Sequence, residues 1–240
     1  MSIQVGLCGF PVSRHRYFES FKVVELQQTF YHPPELATVR KWQKEKPERF
    51  EYTMKAWQLI THEPSSPTYR RLRMKIPPQA RTRYGSFRPS DEVLAAWAKT
   101  REVARTIGCR IILFQCPASF SPTEENRENL HRFFSSIERE GLRFAWEPRG
   151  SWSSEQVRSL CTELDLIHAV DPFSRASTHG EPAYYRLHGI GGYRYRYTVK
   201  ELKALKGFCP ETSNTYVMFN NVSMYENALE FLALLGEVGK

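Results

Sequence analysis

Short apolar or alternating runs, bounded by turn residues and separated by stretches with helical spacing, recur along the whole chain. That is the pattern of repeated βα units. Eight runs read as strands: Ile3 to Cys8, Val23 to Gln27, Phe50 to Lys55, Arg110 to Gln115, Arg143 to Glu147, Leu166 to Asp171, Ala183 to His188 and Thr215 to Asn220. Several are rich in Val, Ile, Phe and Tyr, residues that suit a pleated, half-buried surface. Helices are expected between them. Ser90 precedes Asp91 and Glu92, and Val93, Leu94, Trp97, Ala98, Ala104 and Ile107 follow at helical spacing until Gly108. Ser121, Pro122 and Glu124 read as an N-cap, an N1 proline and a capping-box acid ahead of Leu130, Phe133, Phe134 and Ile137. Thr198 with Glu201 offers another capping box, and Ala228, Leu229, Phe231, Leu232 and Leu235 mark a closing helix.

Two stretches break the rhythm. Residues 56–89 are too long for a plain βα loop and contain Pro64, Pro67, Pro77, Pro78 and Pro89, so they read as an excursion after the third strand. Residues 172–182 replace the sixth helix with something short and polar. The expected fold is α/β: a single (β/α)₈ TIM-like barrel over residues 1–240 with a basic insertion at 56–89. The competing architecture is a doubly wound open sheet; eight strands and the lack of an early Gly-rich phosphate loop favour closure.

Composition adds where the charge lies. The chain is 41% hydrophobic and 25% charged, ordinary for a folded protein, with a formal net charge of +8. No acidic residue occurs between Glu63 and Asp91, whereas Arg70, Arg71, Arg73, Lys75, Arg81, Arg83 and Arg88 all do. The five cysteines (Cys8, Cys109, Cys116, Cys161, Cys209) are widely spaced and never form a C-x-x-C pair, so they read as free, buried thiols. No apolar run approaches the roughly 20 residues that span a bilayer, and no secretory signal is recognisable at the N-terminus. A cytoplasmic protein with no membrane partner is expected.

The chemistry is expected at the C-terminal ends of the strands, where barrels carry their sites. Polar residues end otherwise apolar strands: Glu25 and Gln27, Lys55, Gln115, Glu147 with Arg149, Asp171, Arg186 with His188, and Asn220 with Asn221. Charges at so many strand ends must pair with one another or face a ligand, because burying one alone costs several kcal/mol. Glu25, Glu147 and Asp171 balance Lys55, Arg149 and Arg186. This balance argues against a metal or other cofactor, although Glu25, Glu147, Asp171 and His188 resemble a divalent-metal ligand set. Without one, Lys55, Arg149 and Arg186 are expected to hold a phosphate or carboxylate, and Glu147, Asp171, His188 and Glu25 to handle protons. Gly189, Gly191 and Gly192 offer backbone N–H groups for a phosphate, or simply a tight turn. Tyr69, Tyr84 and Phe87 in the insertion, and Tyr193 to Tyr197 with Lys200 after the seventh strand, mix rings with cations as single-stranded nucleic-acid grooves do. A solvated basic surface is the plainer alternative for both loops.

The chain also resembles the domain of unknown function 72, or YecE-like, family. The resemblance rests on Val5 to Phe10, Val24 to Tyr31, Phe50 to Lys55, Thr61-His62, Leu113 to Pro117, Trp146 to Arg149 with Ser151-Trp152, Asp171-Pro172, Tyr185 to Gly189 and Phe219 to Asn221. It implies a TIM-like barrel with these residues at its C-terminal mouth, which adds Tyr31 and His62 to the substrate-binding candidates beside Gln27, Gln115 and Asn220. It implies no activity. Gln27 stands where the family generally has Asn, and Phe10 where it often has Trp. The expected function is acid–base hydrolysis of a phosphorylated or otherwise anionic substrate, either a small molecule or nucleic acid. The alternatives are a non-catalytic single-stranded nucleic-acid binder and a barrel that binds a sugar or small acid.

Overall fold

The computed structural model describes residues 2–236; Met1 and residues 237–240 of the expected domain lie outside the described residues. Eight parallel strands close on themselves in chain order: β1 (Ile3–Cys8), β2 (Val23–Leu26), β3 (Glu51–Lys55), β4 (Ile111–Gln115), β5 (Arg143–Glu147), β6 (Leu166–Val170), β7 (Ala183–Leu187) and β8 (Thr215–Phe219). The ring is completed by β1 against β8, with Ile3 opposite Thr215 and Leu7 opposite Phe219. The expected barrel is therefore the observed one. The open sheet is excluded because no strand has a free edge.

Helices α1 (Arg14–Ser20), α2 (Gln28–Tyr31), α3 (Leu36–Glu45), α4 (Gln58–Thr61), α5 (Asp91–Ile107), α6 (Glu124–Ser136), α7 (Ser154–Glu163), α8 (Val199–Phe208) and α9 (Met224–Leu235) surround the strands. The Ser90 cap, the left-handed Gly108 stop and the Thr198–Glu201 capping box form as expected. The start of α6 differs. Thr123, not Ser121, caps it by accepting from Asn126 N, while Ser121 O accepts from Thr123 N and the Asn126 side chain. Among the described residues no helix is long and apolar enough to cross a membrane.

The two-residue period of a strand sorts its side chains into two layers. One row (Val5, Leu7, Val24, Leu26, Ile112, Phe114, Phe144, Trp146, Leu187, Val217, Phe219) packs outward under the helices. The other row points into the barrel, where Val23, Ile111, Leu113, Ala145, Ile167, Ala169, Tyr184 and Met218 fill the lower interior. Continuing the inward row past these residues gives Glu25, Lys55, Gln115, Glu147, Asp171, Arg186 and Asn220. The polar strand ends thus share one side of the sheet for a geometric reason. Four strands stop one residue short of the expected ends, at Leu26, Val170, Leu187 and Phe219. The next residues leave the ladder; His188 N, for example, donates to the Asp171 carboxylate at 2.9 Å.

The insertion is bolted to the barrel. Gly85, Ser86 and Phe87 are consecutive left-handed residues at φ 80°, 52° and 53°. A Cβ at position 85 would meet His62 O at 2.3 Å, so only glycine fits there. Gly85 N and Phe87 N bond to Leu59 O and Ile60 O at 2.8 Å each. This turn drives the Phe87 ring, fully buried, among Phe114, Phe120, Phe133 and Phe134 with centroids 5.4–6.0 Å away. The segment that replaces a helix after β6 is held by the buried His168, whose Nδ1 is 3.1 Å from both Thr178 N and Thr178 Oγ1. Burial first, then Arg175, pushes that imidazole down to about 4, so it stays neutral. All five cysteines are buried and unpaired.

Phe87→Ala should lower the unfolding free energy by about 3–5 kcal/mol, the usual cost of emptying a buried phenylalanine site. Urea denaturation checks this, and a loss below about 1 kcal/mol would mean that the insertion is not anchored through this ring.

Candidate functional site

At the C-terminal mouth the inward row ends in a buried ion cluster. Arg186 and Glu25 are fully buried and Glu147 is nearly so. Arg186 grips Glu25 with two nitrogens, Nε to Oε2 at 3.0 Å and Nη2 to Oε1 at 2.8 Å, and reaches Glu147 Oε2 with Nη1 at 2.5 Å. Glu25 also accepts from the Gln27 side chain, from Tyr184 Oη at 2.9 Å and from Cys8 Sγ at 3.3 Å. Thr53 Oγ1 lies 2.8 Å from Tyr184 Oη. The remaining Glu147 oxygen takes Arg149 Nε at 2.8 Å and faces His188 Nε2 at 3.1 Å. Burial alone would push both carboxyls up, but Arg186 overrides it and holds Glu25 below, and Glu147 well below, the ordinary carboxylate range. Both are ionised with their lone pairs occupied, so they anchor the cluster and have no proton to give.

Above this floor opens a pocket of about 520 Å³, a size that suits a small molecule. Among the residues lining it are Gln27, Phe30, Tyr31, Lys55, His62, Gln115, Arg149, His188 and Asn220. Eight of the expected site residues therefore meet on its wall. Glu25, Glu147 and Arg186 lie behind it, and Asp171 is not among its lining residues. Both Asp171 oxygens accept backbone N–H groups, from Phe173 at 3.0 Å and from His188 at 2.9 Å. It positions the end of β7 and does not line the pocket, a structural placement rather than the acid–base one expected for it. Arg186, expected to bind substrate, is likewise consumed by two carboxylates.

The His188 ring lies on the pocket wall among a carboxylate, a guanidinium and an amide. Its Nε2 lies between Glu147 Oε1 at 3.1 Å and Arg149 Nη2 at 2.8 Å, and its Nδ1 is 3.0 Å from Asn220 Nδ2. A protonated Nε2 donates to Glu147; a bare one accepts from Arg149. His62 differs: burial first, then Lys55, pushes it down to about 3, and Thr61 Oγ1 sits 2.8 Å from its Nδ1, so it is a neutral imidazole.

Lys55 is buried, yet among the described residues no carboxylate lies within 4.0 Å of its ammonium. Its Nζ rests 3.9 Å from the centroid of the Phe30 ring. Burial first, then the neighbouring Arg186, pushes this amine down to about 7, against the pull of Glu25 and Glu147. The two carboxylates and two guanidiniums cancel, which leaves Lys55 as the unmatched charge.

The metal-ligand set suggested by Glu25, Glu147, Asp171 and His188 does not assemble. Guanidinium groups occupy the first two and backbone the third, and among the described residues no group of three or more His, Cys, Asp or Glu is placed to hold an ion. The basic and aromatic loops are also changed by the fold. Phe87, Tyr84 and Tyr197 are buried; Tyr69 donates to His62 O at 2.7 Å and Tyr195 to Glu201 at 2.5 Å. Of the rings expected to stack on bases, Tyr193 is the one that stays exposed. In the glycine loop Gly189 N donates to Tyr197 Oη at 2.9 Å and Gly192 N to Gly189 O at 3.0 Å, so it is the tight turn. Sequence reasoning missed Phe30 and Thr68 on the pocket wall, and Cys8, Thr53 and Tyr184 beneath it. The last three lie on the inward row, where strand period alone would have found them.

Glu25→Gln should destabilise the protein by about 3–5 kcal/mol, because it leaves two guanidinium groups sharing one carboxylate at a buried site. Combining it with Arg186→Met should cost less than the two single changes together. Additive losses in urea denaturation would mean that the two groups do not interact.

The model of the family described as protein of unknown function DUF72 matches residues 13–240. Among solved structures, a DUF72 family protein from Enterococcus faecalis V583 is 23% identical with a TM-score of 0.73, covering 98% of each chain. A DUF72 family protein from Thermotoga maritima MSB8 is 22% identical with a TM-score of 0.71, covering 99% of this chain and 100% of that one. A D-allulose 3-epimerase from Methylomonas sp. in complex with D-allulose is 11% identical with a TM-score of 0.59, covering 98% and 97%. The last shares the fold alone. No curated protein matches the chain.

Proposed function

Since the chain belongs to the DUF72 family, whose description names no activity, we propose from the site itself that it is an enzyme acting on a small anionic substrate by acid–base chemistry. The observation that carries this is the sorting of charge at the mouth. The carboxylates Glu25 and Glu147 are buried and paired with cations, so the pocket wall presents Lys55, Arg149 and His188 together with the amides of Gln27, Gln115 and Asn220. Arg149 is the permanent cation for a phosphate or carboxylate group, and Lys55 adds charge while protonated. His188 moves the proton, with Glu147 and Asn220 orienting its ring. Hydrolysis remains one reaction this arrangement serves; a carboxylate base for activating water is not free in it.

A nucleic acid is the second reading, supported by the exposed cations Arg70, Arg73, Lys75 and Arg194 on loops that also contribute Thr68 and Tyr193 to the pocket. The burial of Tyr84, Phe87 and Tyr197 weighs against base stacking.

Sulfate, whose charge is constant near neutrality, is the probe. Calorimetry should show one site, weakened about ten- to hundredfold by Arg149→Ala through loss of a charged hydrogen bond. Protonated Lys55 favours the anion, so affinity should be highest below pH 7 and fall as the pH rises through about 7; Lys55→Met should flatten that profile. A pH-independent affinity, or one that rises with pH, would remove Lys55 from the anion site. A single-stranded oligonucleotide that displaces sulfate and binds far more tightly, with a steep salt dependence, would move the assignment to nucleic acid.

A further inference from the structure

We propose that Lys55 is a covalent nucleophile: its Nζ forms an imine with a substrate that carries a carbonyl group beside the anionic group held by Arg149. The substrate class is a 2-oxo acid or a phosphorylated aldehyde or ketone. The inference rests on the anionic-substrate reading for the second group only.

Two structural observations converge on this residue. Lys55 ends β3 on the inward row and lines the pocket although only 6% of the residue is exposed. Every other buried charge of the cluster is spent in an ion pair, whereas Nζ meets the face of Phe30 and makes neither a hydrogen bond nor an ion pair among the described residues. A permanent anion clamp would be better served by a paired or solvated cation. Burial without a partner instead favours the neutral form of the amine, and a free lone pair is what imine formation requires. The displacement of its titration to about 7 agrees with that placement.

The step is balanced without oxidant or reductant. The amine lone pair forms a bond to the carbonyl carbon, and a proton passes from nitrogen to the carbonyl oxygen, giving a carbinolamine. A second proton carries that hydroxyl away as water and leaves a protonated C=N bond. His188 and solvent are the proton sources on the pocket wall. The resulting electron sink would labilise a bond next to the former carbonyl carbon, so the reactions that follow are proton abstraction, aldol cleavage or decarboxylation.

Reductive trapping tests the inference on the intact protein. Pyruvate, as the oxo-acid probe, and propanal, as the uncharged carbonyl, are each added near neutral pH with cyanoborohydride, and the labelled lysines are mapped by peptide mass spectrometry. The expected result is one pyruvate adduct on Lys55, exceeding any other lysine by about tenfold or more, suppressed by sulfate and lost in Lys55→Arg. If propanal labels Lys55 as readily as pyruvate and sulfate does not protect, the nucleophile stands and the anionic-substrate reading falls. If label is spread over exposed lysines and spares Lys55 while sulfate still binds at the Arg149 site, the nucleophile is overturned and the anion reading survives. Because the decisive reading is made on the unmodified protein, misfolding of a variant would not obscure it.

Discussion

A guanidinium group withdrawn completely from water is stable only if fixed negative charge surrounds it. Arg186 meets this condition with carboxylates from two distant strands. From β7 it reaches Glu25 on β2 and Glu147 on β5, and so ties together three sectors of the barrel wall that are far apart in sequence. Most of the remaining hydrogen-bond capacity of these groups is taken by Gln27, Tyr184, Cys8, Arg149 and His188. The upper layer of the barrel interior is thus ionic where the lower layers are packed with Val, Leu, Ile and Met.

The cluster determines what the pocket above it presents. Carboxylates that sequence alone would place on the wall are drawn inward and ionised, and cationic and amide groups are left facing the opening. Lys55 is the exception within the layer, because the local charge is already balanced without it. A rigid floor of this kind holds Gln115, His188 and Asn220 at strand ends, where side chains are placed more precisely than on loops. The rim is supplied differently. The insertion, anchored by the left-handed turn at Gly85–Phe87, brings Thr68, and the turn after β7 brings Gly192 and Tyr193.

Membership of the DUF72 family and the likeness to its solved members account for the architecture, while the chemistry has to be read from the mouth itself, since one barrel hosts many reactions. The mouth is not an evenly charged acid–base site. Asp171 acts on backbone and Glu25 and Glu147 on Arg186, which leaves His188 and Lys55 as the titratable groups of the proposed chemistry.

Strand period and helix caps are local properties, so the eight strands, the Ser90 and Thr198 caps, the closed barrel and eight of the pocket-lining residues were all legible in the chain. Even the common facing of Glu25, Lys55, Gln115, Glu147, Arg186 and Asn220 follows from alternation along each strand. Depth and partnership were not legible, because they depend on which side chains from different strands arrive at the same height. Only the folded barrel separates Glu147, buried against Arg186, from Arg149 two residues later on the pocket wall, and buries Phe87 and Tyr197 rather than offering them to a ligand. The same closure leaves Lys55 without a counter-charge, since the two carboxylates within reach are already claimed by a guanidinium from the opposite side of the ring.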